Sequence, residues 1–200
     1  MNRYAQIVIV GRPGCGKTSF LREFLKVAGR VEAKVPYADL NQPYPSRWLA
    51  EASGPVTAPV LVISKRGFVQ KRFILHDTFA LDDDPERENQ HRQQLSDTLR
   101  TLLAADIVLH LVEASALLDV SSPTSLQVKS MKLHGIDLDL WAYGRSRPRY
   151  MMLITKSDTI RKRFCKRDVR RVVGNIPVAL VSSSDGRGLL EVKQHVWRMA

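Results

Sequence analysis

The chain has 200 residues, 44% of them hydrophobic and 26% charged, an ordinary globular mixture that predicts a single domain with one substantial core. No apolar run approaches the roughly 18 residues that cross a bilayer. The two cysteines, Cys15 and Cys165, form neither a disulfide framework nor a zinc-binding spacing. We therefore expect a cytoplasmic protein without a transmembrane segment, and peripheral association with a membrane stays open.

The net charge of +11 is unevenly distributed along the chain. Residues 145–171 contain eleven Lys or Arg residues and two Asp residues, a balance of +9, so the rest of the chain carries only +2. This concentration predicts a basic face that is solvated or that meets an acidic protein, an anionic membrane or RNA. Its only aromatic residues are Tyr150 and Phe164, which argues against stacking on nucleic acid bases.

A phosphate-binding motif lies between the first predicted strand and the first predicted helix. The strand is the apolar run Tyr4–Val10, and the helix covers Thr18–Ala28 and ends at Gly29, a residue type common at helix C-termini. Between them, residues 11–18 match the pattern Gly, four free positions, Gly-Lys-Ser/Thr without a mismatch. This placement predicts that the chain binds a nucleoside phosphate.

Each part of this motif has a chemical reason. Glycines let main-chain N–H groups turn toward phosphate oxygens, and the positive end of the following helix dipole points at the same oxygens. Lys17 is expected to contact the outer phosphates and to assist catalysis, whereas Thr18 is expected to bind Mg²⁺ through its hydroxyl. The predicted phosphate contacts are Gly11, Gly14, Cys15, Gly16, Lys17, Thr18 and Ser19.

The middle of the chain predicts a long loop followed by a hairpin. Residues 30–59 are rich in Pro, Ser and Asn with weak periodicity, which is typical of a functional or mobile segment. Strands are predicted at Val60–Ile63 and Phe68–Leu75, with a turn near Gly67. Asp77 lies at the end of the second strand and is expected to bind Mg²⁺ through a water, with a helix- or turn-capping role as the alternative.

The second half of the chain alternates helices and strands. The sequence Asp-Asp-Asp-Pro at 82–85 predicts a helix start. His110 lies in an apolar run and is expected to be a hydrogen-bonded core residue. A helical region from Ser121 is expected to break near Gly135. The helix from 82 is expected to reach about Ala104, with an apolar face of Leu95, Leu99, Leu102 and Leu103. The remaining predicted elements are strands at Asp106–Glu113, Tyr150–Thr155 and Ile176–Val181, and helices at Cys165–Val173 and Gly188–Met199.

This alternation, with one hairpin, predicts an α/β three-layer fold of the P-loop NTPase type. We expect a mostly parallel six-stranded sheet with one antiparallel strand, helices on both faces, and a single domain over residues 1–200. The ligand is expected at the carboxyl ends of the parallel strands, where residues 11–18 fall.

Two further motifs indicate the base. Thr155-Lys156-Ser157-Asp158 follows one predicted strand, and residues 182–188, Ser-Ser-Ser-Asp-Gly-Arg-Gly, follow the last. Together with residues 11–18 and Asp77, they resemble the Ras-like P-loop GTPase family over essentially the whole chain. The resemblance implies a single G domain that binds GTP or GDP with Mg²⁺. It also implies base contacts from Thr155, Lys156, Asp158, Ser182, Ser183 and Ser184.

The chemistry of guanine agrees with this resemblance. Guanine presents N1–H and an exocyclic amino group side by side, and the carboxylate of Asp158 can accept both hydrogen bonds. Adenine has no such pair of donors. The alkyl stem of Lys156 can lie against the purine while its ammonium stays hydrated. The sequence therefore favours guanine over adenine.

The chain departs from the family pattern in the two switch segments. The family has Asp-x-x-Gly, often followed by Gln, where this chain has Ala80 and Leu81 after Asp77-Thr78-Phe79. Leucine cannot position a nucleophilic water, so we expect slow hydrolysis or a catalytic group from elsewhere. Thr57, the only threonine between the first helix and the hairpin, is assigned as the Mg²⁺-binding and catalytic threonine of the first switch. Thr155 replaces the family's Asn, and its hydroxyl can partly substitute for the amide.

Four functions follow as hypotheses, of which the first is favoured and the fourth, a nucleic-acid surface at residues 145–171, is disfavoured by the shortage of aromatic residues. In the first, GTP and Mg²⁺ order residues 30–59 and 78–84, which an effector or regulatory protein then reads. The second is a nucleotide-binding interaction module with negligible hydrolysis. The third is an ATP-using P-loop kinase or ATPase, in which the arginines of 161–171 would form a lid.

Overall fold

The computed structural model describes residues 4–34, 59–83, 91–117, 133, 135–159 and 165–200. The strands, in chain order, are β1 (Ala5–Gly11), β2 (Arg30–Lys34), β3 (Val60–Arg66), β4 (Val69–Asp77), β5 (Ile107–Glu113), β6 (Tyr150–Thr155) and β7 (Val178–Leu180). The helices are α1 (Lys17–Ala28), α2 (Arg92–Ala104), α3 (Gly135–Gly144), α4 (Lys166–Val173) and α5 (Leu189–Met199), and a short 3-10 turn covers Ala114–Leu117.

The strands form one seven-stranded sheet in the order β2-β3-β4-β1-β5-β6-β7. β1 lies between β4 and β5 and is parallel to both, and β6 and β7 continue the parallel arrangement. β3 pairs antiparallel with both β2 and β4, so among these strands it alone runs against the common direction. The α/β fold, the mostly parallel sheet and the single antiparallel strand are confirmed.

The number of strands differs from the prediction of six, because β2 lies inside the segment that was expected to be a loop. Its sequence, Arg-Val-Glu-Ala-Lys, is too polar to indicate a strand by itself. β2 is an edge strand whose hydrogen bonds come from β3, with an irregularity between Val31 and Ala33. The predicted loop therefore begins no earlier than residue 35, and residues 35–58 lie outside the described ranges.

The sheet carries helices on both faces, as predicted. Alternation along β1 sends Ile7 and Ile9 toward α1 and α5, and sends Val8 and Val10 toward α2, α3 and α4. All four side chains are fully buried. This packing fixes the end of β1, and therefore the loop that follows it. Within the described ranges, no helix has the length and apolar character needed to cross a membrane.

The predicted apolar face of α2 is partly wrong. Leu102 is buried and Leu95 packs partly against the core, but Leu99 is 48% exposed and Leu103 is 64% exposed. The helix instead turns Thr98 inward, where its hydroxyl lies 3.4 Å from the carbonyl oxygen of Phe79. The inward face of α2 thus contains Thr98 beside Leu95 and Leu102. Residues 82 and 83 of the predicted helix start are not helical, residues 84–90 lie outside the described ranges, and the described helix begins at Arg92.

A helix that the sequence did not indicate, α3, begins at Gly135, close to the predicted break. The carboxylate of Asp83 accepts a hydrogen bond from the N–H of Ile136 at 3.1 Å and so caps the first turn of the helix. Gly135 has φ 49°, and a Cβ at this position would overlap that carboxylate. The helix start thus depends on a residue far away in sequence. The predicted helical region at 121–132 lies outside the described residues.

Candidate functional site

The loop between β1 and α1 has the backbone that its glycines predict. Gly14 (φ 74°) and Gly16 (φ 89°) adopt left-handed conformations, and a Cβ on Gly11 would overlap the carbonyl of Leu111 on β5. The chain therefore turns tightly above the start of α1, where the first N–H groups of a helix have no intrahelical partner. Free N–H groups and the positive helix end make this position suited to phosphate.

The ammonium of Lys17 lies inside this loop. Lys17 is buried, and its Nζ donates to the carbonyl oxygens of Gly11 (2.9 Å) and Arg12 (2.8 Å). Burial lowers the pKa of Lys17, while the neighbouring Cys15 and Asp77 offset part of that shift. Burial also raises the pKa of the Cys15 thiol, so we assign Cys15 a main-chain role rather than a reactive one. The loop thus holds a desolvated cation that an anion would stabilise.

Thr18 and Asp77 form the second part of the site. The hydroxyl of Thr18 donates to Oδ2 of Asp77 at 2.9 Å. Asp77 is buried, and its Oδ1 has no hydrogen-bond partner among the described residues. Burial raises the pKa of Asp77, although the Thr18 hydrogen bond and the charge of Lys17 oppose this.

These two residues fit Mg²⁺. Hydroxyl and carboxylate oxygens are the ligand types that Mg²⁺ takes from proteins, and it usually keeps several waters. The unpartnered buried oxygen of Asp77 is an acceptor that a cation or its water would satisfy. Thr57, the third predicted ligand, lies outside the described residues.

Thr155 links the predicted base-binding segment to the phosphate loop. Its hydroxyl donates to the carbonyl of Cys15 at 2.7 Å and lies 3.3 Å from the carbonyl oxygen of Val112. The expectation that this hydroxyl could substitute for an amide agrees with these contacts. The end of β6, the end of β5 and the phosphate loop are thereby joined at one point.

Lys156 is held by a residue that the sequence did not indicate. Its Nζ lies 2.9 Å from Oε2 of Glu113, at the end of β5. Partial burial alone would raise the pKa of Glu113, but hydrogen bonds from Lys156 and Ser115 hold the pKa below its ordinary value. Lys156 has φ 52°, a left-handed conformation that is costly for a residue with a Cβ. Only the pairing of β5 with β6 brings Glu113 here, so no local sequence signal could have found it.

Asp158 and the final loop lie side by side. The N–H of Ser157 donates to the carbonyl oxygen of Val181 at 3.1 Å, and this hydrogen bond joins residues 155–158 to the loop that begins at Ser182. Ser182 is buried and its Oγ lies 2.8 Å from Oγ of Ser184, and Ser183 lies between them. The nearby hydroxyl of Ser182 holds the pKa of Asp158 below its ordinary value, and Asp158 itself is exposed. An ionised, accessible carboxylate is what recognition of two guanine donors needs.

A cleft of about 690 Å³ opens beside the phosphate loop and is shared by three parts of the chain. The loop contributes Gly14, Lys17 and Thr18, among others, and the segment after β4 contributes Asp77 to Ala80. The third part, missed by the sequence reasoning, is a polar stripe on α2. Its members lie at i, i+3 and i+4, a spacing that could have indicated a common face. They are Gln94, Asp97 and Thr98.

The segment after β4 is fixed against the sheet. The hydroxyl of Thr78 donates to the carbonyl oxygen of Ile9 at 2.7 Å, and the N–H of Leu81 donates to the carbonyl oxygen of Gly11 at 3.3 Å. The side chain of Leu81 is 4% exposed and packs in the core beneath α2 and α3. Leu81 therefore faces away from the cleft as well as being apolar.

A buried polar chain runs beneath α3. Nδ1 of His110 lies 2.6 Å from the hydroxyl of Tyr150, and Nε2 of His110 lies 3.0 Å from Oδ1 of Asp137. All three residues are buried, which confirms His110 as a hydrogen-bonded core residue. Asp137 was not identified from the sequence, since its partner His110 lies 27 residues away on β5.

The sequence profile of the 50S ribosome-binding GTPase family matches residues 6–156. The chain belongs to this family. It is therefore a GTP-binding G domain, which confirms the predicted guanine nucleotide and the P-loop GTPase resemblance at this coarser level. The match runs from β1 to Lys156 and thus covers the phosphate loop, Asp77 and the start of the base-binding motif.

Solved structures of other GTPases share the fold of this 50S ribosome-binding GTPase family member. The G domain of the FeoB iron transporter of T. maritima superposes with a TM-score of 0.55 at 16% identity, over 98% of each chain. The FeoB G domain of Methanococcus jannaschii gives 0.53 at 13% identity, over 98% of this chain and 97% of that chain. Era of Aquifex aeolicus bound to GDP·AlF4⁻ gives 0.62 at 14% identity, over 98% of this chain and 57% of Era. These identities support the fold alone. No curated protein gives a significant sequence match.

Proposed function

We propose that this G domain is a GTP-operated switch, with slow Mg²⁺-dependent hydrolysis, that regulates a partner protein or assembly. One observation carries the proposal: Lys17, the Thr18–Asp77 pair and the segments at 155–158 and 182–184 all lie at the carboxyl edge of one sheet. A polyphosphate and a purine bound there would contact groups of the chemistry that each requires.

Each residue has a proposed role in this single G domain. Lys17 and Thr57 act in catalysis, and Thr18, Asp77 and Thr57 bind Mg²⁺, which when bound neutralises charge on the phosphates. Phosphate contacts come from residues 11–19. The base is bound by Thr155, Lys156, Asp158, Ser182, Ser183 and Ser184.

We propose that partner proteins bind residues 30–59 and 78–84 in their GTP-dependent conformation. The segment 78–81 is attached through neutral hydrogen bonds of Thr78, Phe79 and Leu81, each contributing about 0.5–1.5 kcal/mol. Attachments of this size can be exchanged for contacts with a γ-phosphate and restored after hydrolysis. Residues 35–58 and 84 lie outside the described ranges, so this part rests on the sequence.

The basic face at 145–171 is proposed to meet an acidic protein or an anionic membrane. Arg145 and Arg171 are exposed and, with Arg147, line a groove of about 710 Å³ between α3 and the α4–β7 connection. A solved structure of Era contains MgGDPNP and nucleotides 1506–1542 of 16S ribosomal RNA, so RNA is included as a competing outcome. Comparing RNA and anionic vesicles at low and high salt identifies which partner class binds.

The burial of Leu81 favours a second candidate, a nucleotide-binding interaction module with negligible hydrolysis. It differs from the switch only in turnover, which a GTPase assay measures. Membership in a GTPase family disfavours the ATP-using alternative.

Calorimetry with GDP, GTP and ATP, with and without Mg²⁺, tests the proposal. GDP and GTP are expected to bind at least about 100-fold more tightly than ATP, a difference of about 2.7 kcal/mol. Asp158→Asn should shift preference toward xanthine nucleotides, because an amide can donate to the added carbonyl of xanthine. Asp139→Asn, an exposed carboxylate on α3, is the matched control. GTP turnover unchanged by Lys17→Ala would exclude both GTP-dependent readings.

A further inference from the structure

GTP hydrolysis needs a polar group that orients the attacking water, and residues 78–81 after β4 offer no side chain for it, since the hydroxyl of Thr78 is bound to the carbonyl oxygen of Ile9. The side chain of Leu81 is buried in the core, and its N–H is bound to Gly11. The neighbouring Ala80 lines the cleft but offers only its main chain. Within the described residues, the other polar side chains that line the cleft lie in and after the phosphate loop, on Asp77 and on α2.

The polar stripe on α2, defined above as Gln94, Asp97 and Thr98, lines the same cleft as Lys17 and Thr18. Thr98 is buried, and its hydroxyl lies 3.4 Å from the carbonyl of Phe79, which holds α2 against the segment after β4. Gln94 precedes Thr98 by four residues, so both lie on one face of the helix. Gln94 is thereby presented to the cleft from a rigid element.

Gln94 is chemically better suited to this task than Asp97. An amide can accept a hydrogen bond from water through its oxygen and donate one to a phosphate oxygen through its nitrogen. A carboxylate can only accept, and it repels the phosphates. The Asp97 carboxylate is also shared between Gln93, at 3.3 Å, and Arg100, at 3.6 Å. The amide of Gln94 makes no hydrogen bond within the described part of the chain and is exposed.

We propose that Gln94 orients the hydrolytic water in this G domain and replaces the glutamine that Leu81 cannot supply. The water oxygen forms a bond to the γ-phosphorus as the bond from that phosphorus to the β–γ bridging oxygen breaks. The electron pair of the broken bond stays on GDP, and the water proton passes to a γ-phosphate oxygen. Gln94 accepts a hydrogen bond from the water and donates one to the phosphoryl group, while Lys17 stabilises the charge on the leaving side. The inference rests on the proposed GTP hydrolysis.

Single-turnover hydrolysis of GTP by Gln94→Ala, with Mg²⁺ present, is the test. We expect the rate to fall at least about tenfold, because one positioning group is lost. The affinity for GDP should stay within about twofold, while the added affinity for GDP in the presence of AlF4⁻ should be lost, since that complex mimics the reacting geometry. Gln93→Ala is the matched control: Gln93 is adjacent on the same helix, contacts Asp97 and does not line the cleft. It should leave both readouts unchanged.

A second variant separates this inference from a defect in the segment after β4. Leu81→Gln should not restore the rate lost in Gln94→Ala, because the position faces the core. Wild-type turnover in Gln94→Ala, or rescue by Leu81→Gln, would overturn the assignment of Gln94 alone. Absence of GTP turnover in the wild-type chain would overturn the proposed hydrolysis, and the role of Gln94 with it.

Discussion

Two opposite charges are buried at the phosphate end of the site, and each is unfavourable for the free protein. Burial displaces the pKa of Lys17 downward and the pKa of Asp77 upward, so both shifts favour the neutral form. The remaining oxygen of Asp77 has no hydrogen-bond partner within the described residues. Such groups persist where a ligand compensates them, here a polyphosphate and a cation.

Asp77→Asn is therefore expected to separate stability from function. Since the folded pKa of Asp77 lies above its ordinary value of 3.8, the ionised form opposes folding above that pKa, and stability is regained as pH falls through it. Removing the charge should leave the melting temperature at pH 7 in EDTA unchanged or raised. Mg²⁺-dependent GTP affinity should fall at least about tenfold, or about 1.4 kcal/mol. A lower melting temperature with unchanged Mg²⁺ dependence would contradict this role.

Local and non-local residues of the site differ in how far the sequence could predict them. Residues 11–18 form one continuous motif, so their arrangement around a tight turn could be predicted before the fold was known. Glu113 reaches Lys156 only because β5 pairs with β6, and Gln94 reaches the cleft only because α2 docks through Thr98. Pairwise contacts of this kind leave no pattern in either segment alone.

At the scale of elements, Thr155 is the joint between β5, β6 and the phosphate loop. Its buried hydroxyl contacts the carbonyl oxygens of Cys15 and Val112. Valine has the same shape as threonine but lacks the hydroxyl donor. Thr155→Val should lower the free energy of unfolding by about 1–3 kcal/mol, because main-chain carbonyls lose their partner. It should also weaken GDP binding several-fold, since the loop is no longer braced.

Urea unfolding and GDP titration measure both effects of Thr155→Val. Thr101→Val is a suitable control, because its hydroxyl bonds only the carbonyl of Asp97 at 2.7 Å within α2. It should change stability by no more than about 0.5 kcal/mol. If both substitutions changed the free energy of unfolding and the GDP affinity equally, Thr155 would have no particular role in bracing the phosphate loop.

The elements that were predicted well are those whose signal is local. β1, β5 and β6 are continuous apolar runs that are buried on both faces, and α1 ends at its glycine as expected. β2 and the start of α3 depend on β3 and Asp83, respectively, and so were missed. Leu99 and Leu103 were misplaced because the inward face of α2 contains Thr98 beside Leu95 and Leu102.

Across the whole molecule, the proposed ligand contacts follow strands on both sides of β1. They come after β1, β4, β6 and β7, so a bound nucleotide would add contacts across most of the width of the sheet. A ligand at 100 times its Kd stabilises the folded state by about 2.7 kcal/mol. For a chain of this size, that corresponds to a rise in melting temperature of roughly 5–10 °C.

A thermal melt with GDP and with ATP checks this expectation. GDP at 100 times its measured Kd should give the full shift, whereas ATP at the same concentration should give little. Lys17→Ala should abolish the GDP-dependent shift while melting normally without ligand. An equal shift with ATP would show that the purine is not selected.

The cap on α3 connects the segment after β4 to the helix that leads to the basic groove. Asp83 belongs to the segment 78–84 that is proposed to respond to the γ-phosphate, and its carboxylate also caps the first turn of α3 by accepting a hydrogen bond from the N–H of Ile136. The helix is about 15 Å long and leads from Gly144 into Arg145 at the basic groove. Displacing Asp83 would leave the N–H of Ile136 without this acceptor at the start of α3, while the other end of the helix adjoins the arginines of the groove.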